Sequence, residues 1–87
     1  MKAQLLVGNN EVVGELLWPD DASAEEIKDA ALGALGMTWE ITGNKIAPNQ
    51  YVQKPVPYEV RVLNGAGEMI YRCTIADLAK VLGKELP

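Results

Sequence analysis

The residues of this chain that could do chemistry are mainly carboxylates, and five of them fall within ten positions. They are Asp20, Asp21, Glu25, Glu26 and Asp29. Such a group favours a surface that binds a basic partner, even by imitating nucleic-acid phosphates. The simpler interpretation is that negative charge stabilises the start of a helix and keeps the protein in solution. Asp20 and Asp21 lack the spaced oxygen ligands and central Gly of a calcium loop, so we expect no metal site there.

The usual acid–base and nucleophilic residues are scarce. The chain contains no histidine, which removes the Ser/His and Cys/His pairs and every zinc site that uses imidazole. Its single cysteine, Cys73, falls in a predicted strand, where a free cysteine usually acts as a small buried apolar residue. We therefore expect no enzyme activity and no cofactor. The alternative is a small enzyme that uses carboxylates or lysine alone, although no pair of acids stands out from spacing.

A long loop is a second place where a partner could bind. Residues 47–57 contain Pro48, Pro55 and Pro57, which exclude a helix interior or a central strand. Tyr51 lies in this loop, and tyrosine is a common anchor at protein interfaces. A plain crossover between two elements is the equally simple interpretation.

Length, composition and charge narrow the classes of partner. The 87 residues are 48% hydrophobic and 23% charged, which is ordinary for one small domain over residues 1–87. The net charge is −4, with −6 in residues 1–44 and +2 in residues 45–87. An acidic chain gains no counterion-release attraction, so we expect no direct nucleic-acid binding. No apolar stretch resembles a membrane span or a signal peptide, so we expect a cytoplasmic protein with no membrane partner.

The first hairpin supplies the apolar part of the candidate interface. Residues 3–7 and 11–18 flank Asn9 and Asn10, and Asn tolerates the positive φ of a tight turn. If these two residues form the loop, Val7 pairs with Val12, Ala3 pairs with Leu16, and the core face carries Ala3, Leu5, Val7, Val12, Leu16 and Trp18. The opposite face then carries three apolar residues where solvent would favour polar ones: Leu6, Val13 and Leu17.

Two helices are predicted, each beginning at a capping box. Ser23 and Glu26 begin a helix over about 24–35, and Gly36 is placed to end it in a left-handed conformation. Thr74 and Asp77 begin a second helix that ends at Gly83. Its apolar stripe consists of Ile75, Leu78, Ala79 and Leu82.

The remaining strands complete a small α+β fold. Residues 37–42 form a strand that turns at Gly43 and Asn44 into a short return at 45–46. Residues 58–63 and 68–73 form a hairpin around 64–67, in which a two-residue turn pairs Arg61 with Glu68 and a four-residue loop pairs Glu59 with Arg72. The predicted order is β-β-α-β-(β)-β-β-α, with an antiparallel or mixed sheet of about five strands.

The first 46 residues resemble ubiquitin-like β-grasp domains in element order: a hairpin, a helix packed across it, then a short strand and the turn at 43–44. The resemblance implies a sheet-plus-helix topology for the first half and no function. The second hairpin and the last helix depart from it. A duplicated ββα unit and chance similarity both remain open for the two halves.

These observations favour a non-enzymatic protein-binding module. The expected partner is another protein with a basic surface, and an inhibitor of a host enzyme, as carried by phages or mobile elements, is one such module. The candidate interface residues are Leu6, Val13, Leu17, Asp20, Asp21, Glu25, Asp29 and Tyr51. The alternative is a structural subunit that forms a homodimer through the first hairpin.

Overall fold

The computed structural model describes residues 1–49 and 56–86, and within them six strands and two helices form an α+β fold. The strands are β1 (Lys2–Val7), β2 (Glu11–Leu17), β3 (Trp39–Thr42), β4 (Lys45–Pro48), β5 (Glu59–Leu63) and β6 (Met69–Thr74). The helices are α1 (Ala24–Gly36) and α2 (Ile75–Leu82), and a short 3-10 turn over Gly8–Asn10 joins β1 to β2. The predicted fold class and element order are confirmed.

The main sheet has four antiparallel strands in the order β2-β1-β5-β6. The two hairpins therefore join through their first strands, β1 and β5, which leaves β2 and β6 at the edges. Among the described strands, β3 and β4 pair with each other and form a separate two-stranded sheet. Backbone bonds hold this small hairpin to the residues that follow α2, since Ile46 N–H donates to the Glu85 carbonyl at 3.0 Å and Glu85 N–H donates to the Asn44 carbonyl at 2.9 Å.

The predicted register of the first hairpin is right at one end and wrong at the other. Ala3 pairs with Leu16 as expected, but a β-bulge shifts the register between Leu5 and Leu6, so Leu6 rather than Val7 pairs with Val12. A bulge places one extra residue on one strand, and every side chain beyond it changes face. Asn10 has a φ of 60°, as the turn prediction requires.

A capping box begins α1 as predicted, but the helix ends differently from the prediction. The amide of Glu26 donates to the Ser23 hydroxyl, and the amide of Ser23 donates to the Glu26 carboxylate, both at 3.2 Å. Gly36 is still helical, and the cap is Met37 in a right-handed conformation, so the left-handed ending predicted at Gly36 is wrong. In α2 the prediction holds, because Gly83 ends the helix with a φ of 67°.

The core lies between the main sheet and the two helices. Ala3, Val60, Val62 and Cys73 face α1 from the sheet, and Ile27, Ala31 and Leu35 meet them from the helix. Trp39 from β3 and Ile46 from β4 belong to the same cluster. No helix in the described ranges is both long enough and apolar enough to cross a membrane.

Candidate functional site

The five acids that stand together in the sequence are divided by the start of α1. Asp20 accepts a hydrogen bond from the amino group of Met1, and Glu26 caps α1. Hydrogen bonds to Ser23 lower the pKa of Glu26, and the bond to its side chain contributes more than the bond to its amide. Two of the five carboxylates therefore have a structural partner. Glu26 supports the helix-capping interpretation, whereas Asp20 pairs with the amino terminus instead.

Asp21 and Asp29 lie beside different depressions. Asp21 borders one of about 320 Å³ together with Trp18 and Glu26. Asp29 borders a larger groove, and Glu25 lies four residues earlier on the same face of α1. The acidic segment is thus not one continuous site, and Asp29 is its one member that lines the groove.

The groove lies where α1, α2 and the β3–β4 hairpin meet, and it encloses about 430 Å³. Its lining consists of Asp29, Leu32, Gly33, Gly36, Trp39, Glu40, Ile41, Ile46, Leu78, Val81 and Leu82. Leu32, Trp39 and Leu78 are buried and belong to the core, so the floor of the groove is the edge of the core itself. Asp29 and Glu40 are the only charged side chains among these described lining residues.

The rim of the groove is apolar and exposed. Ile41 is 57% exposed and Val81 is 60% exposed, and Leu82 beside them is also exposed. Leu82, which the sequence placed on the apolar stripe of α2, is exposed, and the buried residues of that helix are Leu78 and Ala79.

The first hairpin does not present the apolar face that the sequence predicted. Leu6 is only 1% exposed, so its assignment as an interface residue is wrong. Leu6 lies on a central strand, β1, between Val12 and Glu59. Val13 is half-buried at the bulge. Leu17, at the end of the edge strand β2, is 83% exposed and remains available to a partner.

Other reactive or charged groups are engaged within the fold. Cys73 is buried, and burial in the core raises the pKa of its thiol to about 11, which disfavours the thiolate nucleophile. Glu59 accepts two hydrogen bonds from Arg72, at 2.8 and 3.1 Å, and another from Arg61. Within the described residues, no three His, Cys, Asp or Glu side chains are grouped so as to hold a metal ion. Tyr51 lies outside the described residues.

Sequence reasoning missed the groove because its walls come from three separate parts of the chain. One local signal was present. Trp39 and Ile41 are two residues apart in a strand and therefore share a face, so two large apolar side chains needed cover on one side of a short hairpin. Nothing in the sequence showed that Val81 would lie beside them.

Comparison with protein-family models, with curated proteins and with solved structures finds no match to this chain.

Proposed function

We propose that this protein is a non-enzymatic protein-binding module, a small acidic cytoplasmic accessory protein that docks on a larger partner through the groove between α1, α2 and β3. The exposed apolar rim at Ile41 and Val81, continuous with a buried apolar floor, supports this proposal. Contiguous exposed apolar surface rimmed by polar residues is typical of interaction sites.

The carboxylates beside the apolar rim support a basic partner. Asp29 and Glu40 border the groove, and Glu25 continues the negative charge along α1. Carboxylates around an apolar patch favour a partner with lysine or arginine at matching positions and speed its association. Inhibition of a host enzyme with a basic surface, as by a phage or mobile-element protein, is the narrower form of this proposal.

Site-specific photo-crosslinking tests the docking surface. A photoreactive amino acid at position 41 or 81 should give a crosslink to another protein in cells that naturally contain this chain. The same residue at the exposed position 68, which directly precedes β6, is the control and should give none. If positions 41 and 81 give no crosslink while the variants remain folded, the groove is not the docking surface.

The second candidate is a homodimer through the first hairpin. The observation in its favour is Leu17, which is fully presented on the edge strand β2. An exposed edge strand offers unpaired backbone groups to a second copy. In the same experiment, a crosslink from position 17 to a second copy, with a dimer mass by light scattering that Leu17→Lys abolishes, would favour this candidate.

A further inference from the structure

We infer that the groove binds an amphipathic helix of the partner protein, with apolar residues on one face and lysine or arginine beside them. This inference rests on the protein-binding function proposed above and adds the kind of segment that the groove recognises. It follows from the apolar lining of the groove, its helical walls and its carboxylates.

The apolar lining favours a row of apolar anchors. The floor is formed by Leu32, Trp39 and Leu78, and the exposed side chains of Ile41 and Val81 stand at its edge. A partner helix that buries residues at i, i+3, i+4 and i+7 presents such a row to a groove. The rim side chains would then lose their contact with water, which is the main favourable term in binding.

A small-molecule ligand fits this lining less well. Sites for small molecules usually carry a few convergent polar groups that fix the orientation of the ligand. The described lining offers only the two carboxylates of Asp29 and Glu40, both beside the apolar surface. Such a groove recognises apolar area and positive charge rather than a specific pattern of hydrogen bonds.

The walls favour a helix over an extended strand. A strand adds to a protein by pairing with the free N–H and C=O groups of a sheet edge. Two walls of this groove are the helices α1 and α2, whose backbone groups are already bonded within the helix. These two walls present side chains only, so an extended segment could pair its backbone only along β3, the one wall whose outer edge has no partner strand among the described residues.

Gly33 indicates close approach by the partner. A glycine inside a helix costs about 1 kcal/mol relative to alanine. A Cβ added at Gly33 would meet no atom within 4 Å, so packing within the protein does not require glycine there. Gly33 lies on the lining of the groove, where a missing side chain lets a second helix approach the backbone of α1.

The negative charge of α1 indicates the charge expected of the partner. Glu25, Asp29 and Gly33 follow one another at intervals of four residues, so the two carboxylates continue the line of Gly33 toward the start of the helix. Glu40 adds a carboxylate on the β3 side. A partner helix in the groove would thus carry basic residues where it passes Asp29 and Glu40, while Lys28 and Lys80 lie beyond Leu32 and Val81 in the neighbouring depression.

Selection from a peptide library tests this inference. The probe is a phage-displayed library of random peptides of about 16 residues, roughly four helical turns. Peptides are selected on the full chain and counter-selected on the Ile41→Ser/Val81→Ser double variant, so that only groove-dependent binders survive. We expect survivors with apolar residues at helical spacing and flanking Lys or Arg, and we expect circular dichroism to show that they become helical on binding.

Matched variants then separate the contributions to affinity. Ile41→Ser/Val81→Ser and Asp29→Asn/Glu40→Gln should each weaken a selected peptide about tenfold or more, as loss of an interface anchor does. Asp21→Asn/Glu11→Gln, which neutralises two exposed acids away from the groove, and Leu17→Ser are the controls and should leave the affinity unchanged. Gly33→Ala should weaken the peptide while raising the melting temperature of the free protein, because only a bound helix would contact the new methyl group.

Three results would overturn the inference. They are survivors that bind in an extended form or lack basic residues, no survivors after counter-selection, and a Gly33→Ala variant with full affinity. A groove filled by a second copy of the chain would appear as a concentration-dependent mass that Ile41→Ser/Val81→Ser abolishes, and this too would overturn it. Crosslinks from positions 41 and 81 to another protein would still uphold the protein-binding function, so the two failures are distinguishable.

Discussion

Trp39 is the aromatic residue that ties the small hairpin to the core. Its side chain is 5% exposed, its indole N–H donates to the Pro57 carbonyl at 2.9 Å, and its ring meets Tyr58 edge-on with centroids 5.3 Å apart. Trp18, which the sequence placed on the core face, is half-buried at the margin of the same cluster. The two tryptophans therefore differ in how much stability they contribute.

Trp39→Ala should lower the free energy of unfolding by about 3 to 5 kcal/mol, as large-to-small changes of buried aromatic residues do. Trp18→Ala removes a side chain that water already reaches, so its cost should be smaller. Urea denaturation followed by circular dichroism measures both. An equal or larger loss for Trp18→Ala would contradict the placement of Trp39 at the centre of the cluster.

Glu59 holds together two arginines that lie opposite each other. Arg61 and Arg72 are direct partners across β5 and β6, where like charges repel. The Glu59 carboxylate bonds to both, and its side chain is largely buried. The hydrogen bond from the Arg72 side chain, the largest cause, and the charge of Arg61 lower the pKa of Glu59 from its ordinary value of 4.5.

Glu59→Gln should destabilise the protein at pH 7 by roughly 1 to 2 kcal/mol, between the values for exposed pairs and for buried charge-assisted bonds. Since the pKa of this carboxyl is lowered by folding, its contribution is present above 4.5 and is lost as the pH falls through the folded-state pKa. The difference between variant and parent should therefore shrink below pH 4.5. Unfolding curves from pH 7 to pH 3 measure it, with Glu25→Gln as the control. A pH-independent difference would mean that Glu59 acts by packing alone.

At the scale of the element, the β5–β6 turn decided a register that the sequence left open. Neither predicted pairing occurs, because Arg61 pairs with Arg72 and a bulge follows between Val62 and Leu63. The Asn64 side chain fixes this turn by accepting from the amides of Ala66 and Glu68, both at 2.9 Å. The Glu59–Arg72 ion pair forms all the same, across a diagonal of the ladder.

Two glycines of this turn should respond in opposite ways to substitution. Gly67 has a φ of 81°, whereas Gly65 has no positive φ and open space around its Cα. Gly67→Ala should cost about 1 to 2 kcal/mol because a Cβ in the left-handed region clashes with the following carbonyl. Gly65→Ala should be neutral or stabilising by up to about 1 kcal/mol, because alanine restricts the unfolded chain. Thermal unfolding compares the pair, and a similar loss for both would show that the turn does not depend on the conformation of Gly67.

The bulge of the first hairpin has a consequence at the same scale. It lies between Leu5 and Leu6, so β2 changes face partway along while β1 continues unchanged. Val12, predicted for the core face, therefore pairs with Leu6 rather than Val7, and it is exposed on the edge strand. Side chains alternate between the two faces only along a regular strand. One extra residue in one strand is enough to change the pairing and the face of the residues beyond it.

In the whole molecule, the groove results from the way the two helices and the β3–β4 hairpin are arranged beside the main sheet. The described residues extend over 40 × 24 × 20 Å, with both helices on one face of the main sheet. The β3–β4 hairpin pairs with the segment after α2 instead of joining that sheet. The last turn of α2 and the outer side of β3 are therefore left facing each other, with the apolar groove between them.

Local patterns were sufficient for the elements of this protein. The capping box at Ser23, the helix end at Gly83 and the turns at 43–44 and 64–67 each depend on residues within four positions of one another, and all occur in the structure. The α+β class followed from the order of these elements. Free-energy terms that act between near neighbours can be read from sequence because the chain itself brings those residues together.

Only the tertiary structure decided which surfaces remain exposed. Leu6 is buried on a strand, β1, that pairs with β5 from far along the chain, whereas Val81 in the last turn of α2 is exposed among the described residues. The groove needs Asp29, Ile41 and Val81 together, and each comes from a different element. Burial depends on contacts between distant segments, whose pairing is selected by the packing of the whole core rather than by any local pattern.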